Sequence, residues 1–283
     1  MWHALLIYSG YDIYTVGIAR NDVGREYAME FTLEDFSLKD KVALITGGSR
    51  GIGKAIAVGM AKAGADVALA SRKLPDLEQV AQEIRALGRR ALAVAAHVGR
   101  LEEISNLVTR VKEEFGRIDI LVNNAATNPT MDSALEIQER AWDAIMNLNL
   151  KGLFFLSQAV ARLMKEQGGG TIIHVSSVAG ITPDILPVYS ISKAGVIMAT
   201  KVMAREWGKY NIRVNAIAPG LVKTRFSEAL WSNPDILQGA LAASPLRRIA
   251  DPDDMVGAAI FLASNASRHI TGHVLVVDGG ATI

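Results

Sequence analysis

The chain has no cysteine. That removes disulfide scaffolding, thiolate metal sites and cysteine nucleophiles together, and it fits a cytoplasmic protein. Net charge is nearly absent as well, with 30 Lys and Arg against 29 Asp and Glu, so no field gathers nucleic acid or an anionic membrane surface. Long apolar runs are missing. VGAAIFLA at 256–263 is among the longest and falls well short of the roughly 20 residues that span a bilayer. What remains is the material of a large core, since half of the 283 residues are hydrophobic and only 21% are charged, a balance that excludes disorder. The expected partner is a small molecule, with neither nucleic acid nor membrane.

The amino-terminal MWHALLIYSGYDIYTVGIAR carries no Lys or Arg ahead of its short apolar stretch, which Ser9, Gly10 and Asp12 interrupt; a secretory signal needs the opposite. Residues 1–35 are expected to be an extension outside the core or an upstream start, with Met29 opening the segment ahead of the first convincing strand. Residues 36–283 are expected to form one domain. There KVALIT (41–46), DVALAS (66–71), ALAVAA (91–96), IDILVN (118–123), TIIHVS (171–176), IRVNAI (212–217) and HVLVVD (273–278) are continuous apolar runs of strand length. Helical patterns fall between them at about 51–64, 75–88, 101–115, 136–167, 189–208 and 251–264. Strands apolar on both sides, joined by helix-length crossovers, predict an α/β fold: a single doubly wound, Rossmann-type, seven-stranded parallel sheet with helices on both faces. The irregular stretch at about 219–250 follows the sixth strand, where α/β sheets bind ligands, and reads as a substrate lid.

The first strand runs into TGGSRGIG, 46–53. Glycines at 47, 51 and 53, with Ser49, Arg50 and Ile52 between them, let a pyrophosphate approach the backbone at a helix amino terminus. The spacing differs from G-x-G-x-x-G, but the strand-to-helix setting is that of a dinucleotide fingerprint. After the second strand come Ser71, Arg72 and Lys73, with no acid to hold a free ribose 2′-hydroxyl. Arg72 and Arg50 suit a 2′-phosphate instead, which favours NADP(H) over NAD(H).

VYSISK, 188–193, places Tyr189 and Lys193 four residues apart on one helical face. Together with TGGSRGIG, the NNAA of 123–126, Asn149 in NLNLKG, Ser177 in VSSVAG and PGLVKT at 219–224, the pair makes residues 37–280 resemble the short-chain dehydrogenase/reductase family. HVGR, NNAATNP and APGLVKTRFSEALW resemble its NADP-dependent retinol dehydrogenase/carbonyl reductase subgroup. The resemblance implies that Tyr189 is the proton donor and acceptor, its phenolate favoured by the Lys193 ammonium, which also holds the nicotinamide ribose. It implies that Ser177 binds the substrate oxygen, and that Asn149 holds a relay water. It places Asn123 beneath the adenosine-side ribose, Ala125 close against the cofactor, and Pro219, Gly220, Val222 and Thr224 around the nicotinamide carboxamide. Two departures stand out: His97 and Val98 occupy the place where many relatives have an adenine-contacting Asp, and Ala126 replaces a glycine.

These readings predict an NADP(H)-dependent oxidoreductase that reduces a ketone or aldehyde, or oxidises a secondary alcohol. A 3-oxoacyl-[acyl-carrier-protein] reductase shares the same residues, and a non-catalytic dinucleotide sensor is disfavoured because all four catalytic positions are filled. The resemblance implies a homotetramer. His269 and His273 are separated by Gly272 and a strand start, so no catalytic metal is expected. His174, inside the fifth strand, is expected to be a satisfied core residue.

Overall fold

In the computed structural model of the chain, the described residues are 6–9, 12–15 and 31–283. The chain divides into Met1–Thr32 and Leu33–Ile283. In the first unit, LIYS and DIYT, rich in β-branched and aromatic residues that favour pleated structure, form strands β1 (Leu6–Ser9) and β2 (Asp12–Thr15). They pair antiparallel, Leu6 opposite Thr15. Neither strand was expected from the sequence. Met29, the candidate start, lies outside the described residues.

The second unit alternates strand and helix. Its strands are β3 (Val42–Thr46), β4 (Asp66–Ser71), β5 (Ala91–Ala95), β6 (Ile120–Asn123), β7 (Gly170–Val175), β8 (Ile212–Pro219) and β9 (Val274–Val277). They form one parallel sheet in the order β5-β4-β3-β6-β7-β8-β9. The chain builds outward from β3 to β5 and then returns to β6 on the other side of β3. That reversal opens a crevice at the carboxyl ends of the strands.

Both faces of the sheet are buried, which is why the strands read as unbroken apolar runs. Ile45, Ile120 and Ile173 pack with Ile56 and Met60 of α1 (Gly51–Lys62) and Leu77 and Ile84 of α2 (Leu74–Ala86). On the opposite face, Leu44, Leu121 and Val214 pack with Leu107 and Val111 of α3 (Leu101–Phe115).

The run expected as one helix over 136–167 is interrupted. It comprises α4 (Glu139–Met146), a π-helical turn over Asn147–Gly152, and α5 (Leu153–Glu166). The turn carries the chain hard against the end of β5: a Cβ on Gly152 would lie 2.2 Å from the Val98 carbonyl oxygen, so only glycine fits there. Helix α6 (Pro187–Trp207) starts on a proline, whose missing N–H costs nothing in a first turn. Over 219–250 the structure holds two short helices, α7 (Glu228–Trp231) and α8 (Pro234–Ala243), the latter capped by the Asn233 side chain. The last, α9 (Val256–Ala263), follows a 3-10 turn over Pro252–Met255 and packs on the same face as α1.

Candidate active site

The crevice is a cleft of about 1480 Å³, larger than an ordinary small-ligand pocket and roomy enough for a dinucleotide with a substrate. Thr46, the last residue of β3, organises its floor. Its hydroxyl accepts from the Asn124 and Ala125 amides at 3.0 and 3.1 Å, while Asn124 Nδ2 donates to the Thr46 carbonyl at 2.9 Å. A Cβ on Gly53 would come within 2.4 Å of the Gly47 carbonyl oxygen, so the loop can fold back onto the first turn of α1 only because glycine stands there. The fold-back gives a backbone-lined cradle at a helix amino terminus, the arrangement that accepts a pyrophosphate. At one end of the cleft Arg50, Arg72 and Lys73 are exposed, and none of them takes part in the ion pairs found among the described residues. Asp76 lines the cleft as well.

At the other end, the start of α6 is fastened to the end of β7. Ser176 Oγ donates to the Lys193 backbone carbonyl at 2.9 Å, and Lys193 Nζ donates to the Val175 carbonyl at 2.7 Å. Lys193 is buried, only 3% exposed, and burial pushes its ammonium down to about 8. The Tyr189 side chain is half-buried and close to the Ser177 hydroxyl. Burial pushes its phenol well above the usual value; the nearby Ser177 hydroxyl acts in the opposite sense, and the Asp184 carboxylate adds to the rise. The expected downward pull of Lys193 is not the governing effect, because the lysine's end turns to Val175 and lies 5.5 Å from the Tyr189 ring centre. Ser177 Oγ also accepts from the Ala179 amide at 3.1 Å, which fixes its direction.

Gly47, Ser49, Arg50, Gly51, Ile52, Ser71, Arg72, Lys73, His97, Val98, Ala125, Ser177, Tyr189, Lys193, Pro219, Gly220, Val222 and Thr224 all line this one cleft. Three expected residues do not. Gly53 is buried behind the loop. Asn123, expected beneath a ribose, points to the opposite face of the sheet, where its Nδ2 donates to Ser157 Oγ at 2.9 Å. Alternation along β6 gives the cleft to the next residue, Asn124, which the sequence reading passed over although it stands in the same NNAA motif. Asn149 is 1% exposed and its amide is spent on the Thr127 backbone and on Ser192. Asp184 and Ile185, which lie beside Tyr189 in the cleft wall, gave no signal in the sequence. His174 is fully buried between the hydroxyls of Ser157 and Thr200; burial, with the Lys193 charge adding, pushes it down to about 3. Among the described residues no cluster of His, Asp and Glu could hold a metal, and no helix is long and apolar enough to cross a membrane.

A family model described as Enoyl-(Acyl carrier protein) reductase matches residues 47–282. The 2-dehydro-3-deoxy-D-gluconate 5-dehydrogenase of Escherichia coli (strain K12) is 42% identical over 250 residues, 88% of this chain and 98% of that protein. The human protein called dehydrogenase/reductase SDR family member 4 is 38% identical over 244 residues, 86% and 88% of the two chains. The chain belongs to the short-chain dehydrogenase/reductase family. A crystal structure of a gluconate 5-dehydrogenase from Burkholderia cenocepacia J2315, in complex with NADP and tartrate, superposes with a TM-score of 0.85 at 35% identity, covering 88% of this chain and 98% of that one. As a member of the family the protein is an oxidoreductase of the CH–OH/C=O couple, and a nicotinamide dinucleotide fits the cradle.

Burial of Lys193 has a measurable consequence. The amine titrates at 10.5 unperturbed and at about 8 in the fold. Below pH 8 both states carry the proton and the folded state bears the full desolvation cost. Between 8 and 10.5 only the unfolded chain stays protonated, so this residue's contribution to stability rises with pH. The unfolding free energy of the wild type minus that of Lys193→Met, from denaturant titrations, should therefore increase across that window by on the order of 3 kcal/mol. A flat difference would show that the charge is not buried.

Proposed function

We propose that the protein is an NADP(H)-dependent carbonyl reductase of the retinol dehydrogenase/carbonyl reductase subgroup. It reduces an uncharged, apolar ketone or aldehyde, or oxidises the matching secondary alcohol. The observation that carries this reading is the Tyr189 phenol close to Ser177 in the same cleft as the glycine cradle, with the buried Lys193 amine 5.5 Å from its ring centre.

Bound in the cleft, the nicotinamide supplies or takes the hydride. The chain's own residues do the rest. The Ser177 hydroxyl, directed by the Ala179 amide, donates to the substrate oxygen and stabilises the negative charge that grows there. Tyr189 Oη gives its proton to that oxygen as the alkoxide forms. A phenol held above its usual value stays loaded with its proton through the neutral range, which suits an acid in the reductive direction; oxidation needs the phenolate and so an alkaline medium. Lys193 puts a positive charge beside the phenol and offers donors to the nicotinamide ribose. Asn149 is assigned as a positioning residue: a water relay through its amide would require one of its bonds to Thr127 or Ser192 to open.

The 2′-phosphate preference rests on the guanidinium groups of Arg50 and Arg72, which make no ion pair among the described residues and line the cleft with Lys73. The substrate wall supports an apolar ligand: Ile185, Phe226, Leu230 and Ile236 line it, and the Phe226 ring lies 5.8 Å from that of Tyr189. The segment 219–250, which carries Phe226, is proposed as the lid. Asp184, close enough to act on the phenol, disfavours a carboxylate substrate. A second reading, a sugar-acid substrate like that named for the Escherichia coli relative, is favoured by Arg225, exposed in the cleft wall. A homotetramer is proposed through the exposed apolar residues Phe154 and Phe155 of α5 and Ile191, Met198 and Val202 of α6.

A panel of apolar diones and aromatic ketones, 5-keto sugar acids and β-ketoacyl thioesters, each with NADPH, separates the readings. The apolar carbonyls are expected to show the highest kcat/KM; turnover confined to sugar acids or to thioesters would contradict the proposal. For the cofactor, Arg72→Asp is expected to weaken NADPH by about tenfold or more while leaving NADH within about threefold, measured as Kd. Equal losses would remove the 2′-phosphate contact.

A further inference from the structure

The cleft has an adenosine end that can be placed without a ligand. The cradle follows β3 and receives the pyrophosphate, and Arg72 follows β4 and marks the ribose. The next strand outward in the sheet is β5, so the base lies over the residues that follow it, Ala96, His97 and Val98, all of which line the cleft. Among them His97 alone has a polar side chain.

The polar groups of His97 are accounted for one by one. Its backbone N–H donates to Glu103 Oε2 at 2.7 Å, and its carbonyl accepts from the Arg100 amide at 2.8 Å. Its Nδ1 accepts from the Gly99 amide at 3.1 Å. The ring lies close over Gly99, where a Cβ would come 2.9 Å from His97 Cε1, and the Gly99 bond orients it. With Nδ1 an acceptor, the hydrogen of the neutral ring is on Nε2, and among the described residues no hydrogen bond takes it. The ring thus offers the base a donor, where the resemblance leads one to expect the acceptor oxygens of an aspartate.

We propose that His97 recognises the purine of the cofactor through Nε2–H, and that the site therefore does not select for the 6-amino group of adenine. This rests on reading the cleft as an NADP(H) site. A carboxylate at this place accepts from the 6-amino group and is repelled by the 6-oxo oxygen of hypoxanthine. An N–H donor has no such preference: N7 accepts from it in adenine and in hypoxanthine alike.

The test is a fluorescence titration of the whole protein with NADPH and with its 6-deamino, hypoxanthine analogue. The wild type should bind the two with Kd values within about threefold. His97→Ala should weaken both by up to about tenfold, the value of one hydrogen bond. His97→Asp should restore at least about a tenfold preference for the adenine form. Tenfold preference for adenine in the wild type would overturn the assignment and give the base to a carboxylate such as Asp76. So would unchanged affinities in His97→Ala. Saturable binding of neither nucleotide would overturn the dinucleotide reading itself, a different outcome from NADPH binding with the wrong base preference.

Discussion

Everything at the reactive end depends on how α6 is held against β7. Two hydrogen bonds do this, from the Ser176 hydroxyl to the Lys193 carbonyl and from Lys193 Nζ to the Val175 carbonyl. An ammonium with 3% exposure is costly to bury, and a single carbonyl offsets only part of that cost, so the basicity of the lysine falls. The same burial holds the neighbouring phenol protonated. The fold thus keeps a weakened base and a strengthened hold on a proton within one turn of one helix, a local expense in stability at the place where chemistry needs it.

The cradle at the opposite end is built from backbone and two short polar side chains. Thr46 and Asn124 tie the end of β3 to the end of β6 across the switch point of the sheet, and glycine lets the loop fold back on α1. A long ligand laid from this cradle toward Tyr189 must cross the carboxyl ends of the central strands. The parallel order of the sheet therefore sets both the direction of the ligand and the distance between its phosphate and reactive ends.

Much of this was legible in the residues. The seven strands announced themselves because both sheet faces are covered, and TGGSRGIG and YSISK carried their chemistry in their spacing. The interruption between Met146 and Leu153 was not legible, because a π turn keeps the helical pattern of apolar residues while shifting its phase. The direction of the Asn123 side chain was not legible, because a doublet of asparagines at the end of a four-residue strand does not say which one turns to the cleft; the bond from Asn123 to Ser157 shows it. LIYS and DIYT were too short, and too mixed in polarity, to stand out as strands. The balance of forces on Tyr189 was beyond reach as well. Spacing shows that Lys193 shares its face, but only coordinates show the amine turned to Val175 and Asp184 brought near.

The central claim is that the Tyr189 hydroxyl is the proton donor, and Tyr189→Phe tests it most directly, because that substitution removes one oxygen and little packing. Single-turnover reduction of a carbonyl substrate, with NADPH affinity measured in parallel, is the decisive experiment. The account predicts NADPH binding within about threefold of the wild type and a hydride-transfer rate lower by about two to four orders of magnitude. A rate within about threefold of the wild type, with binding intact, would contradict it.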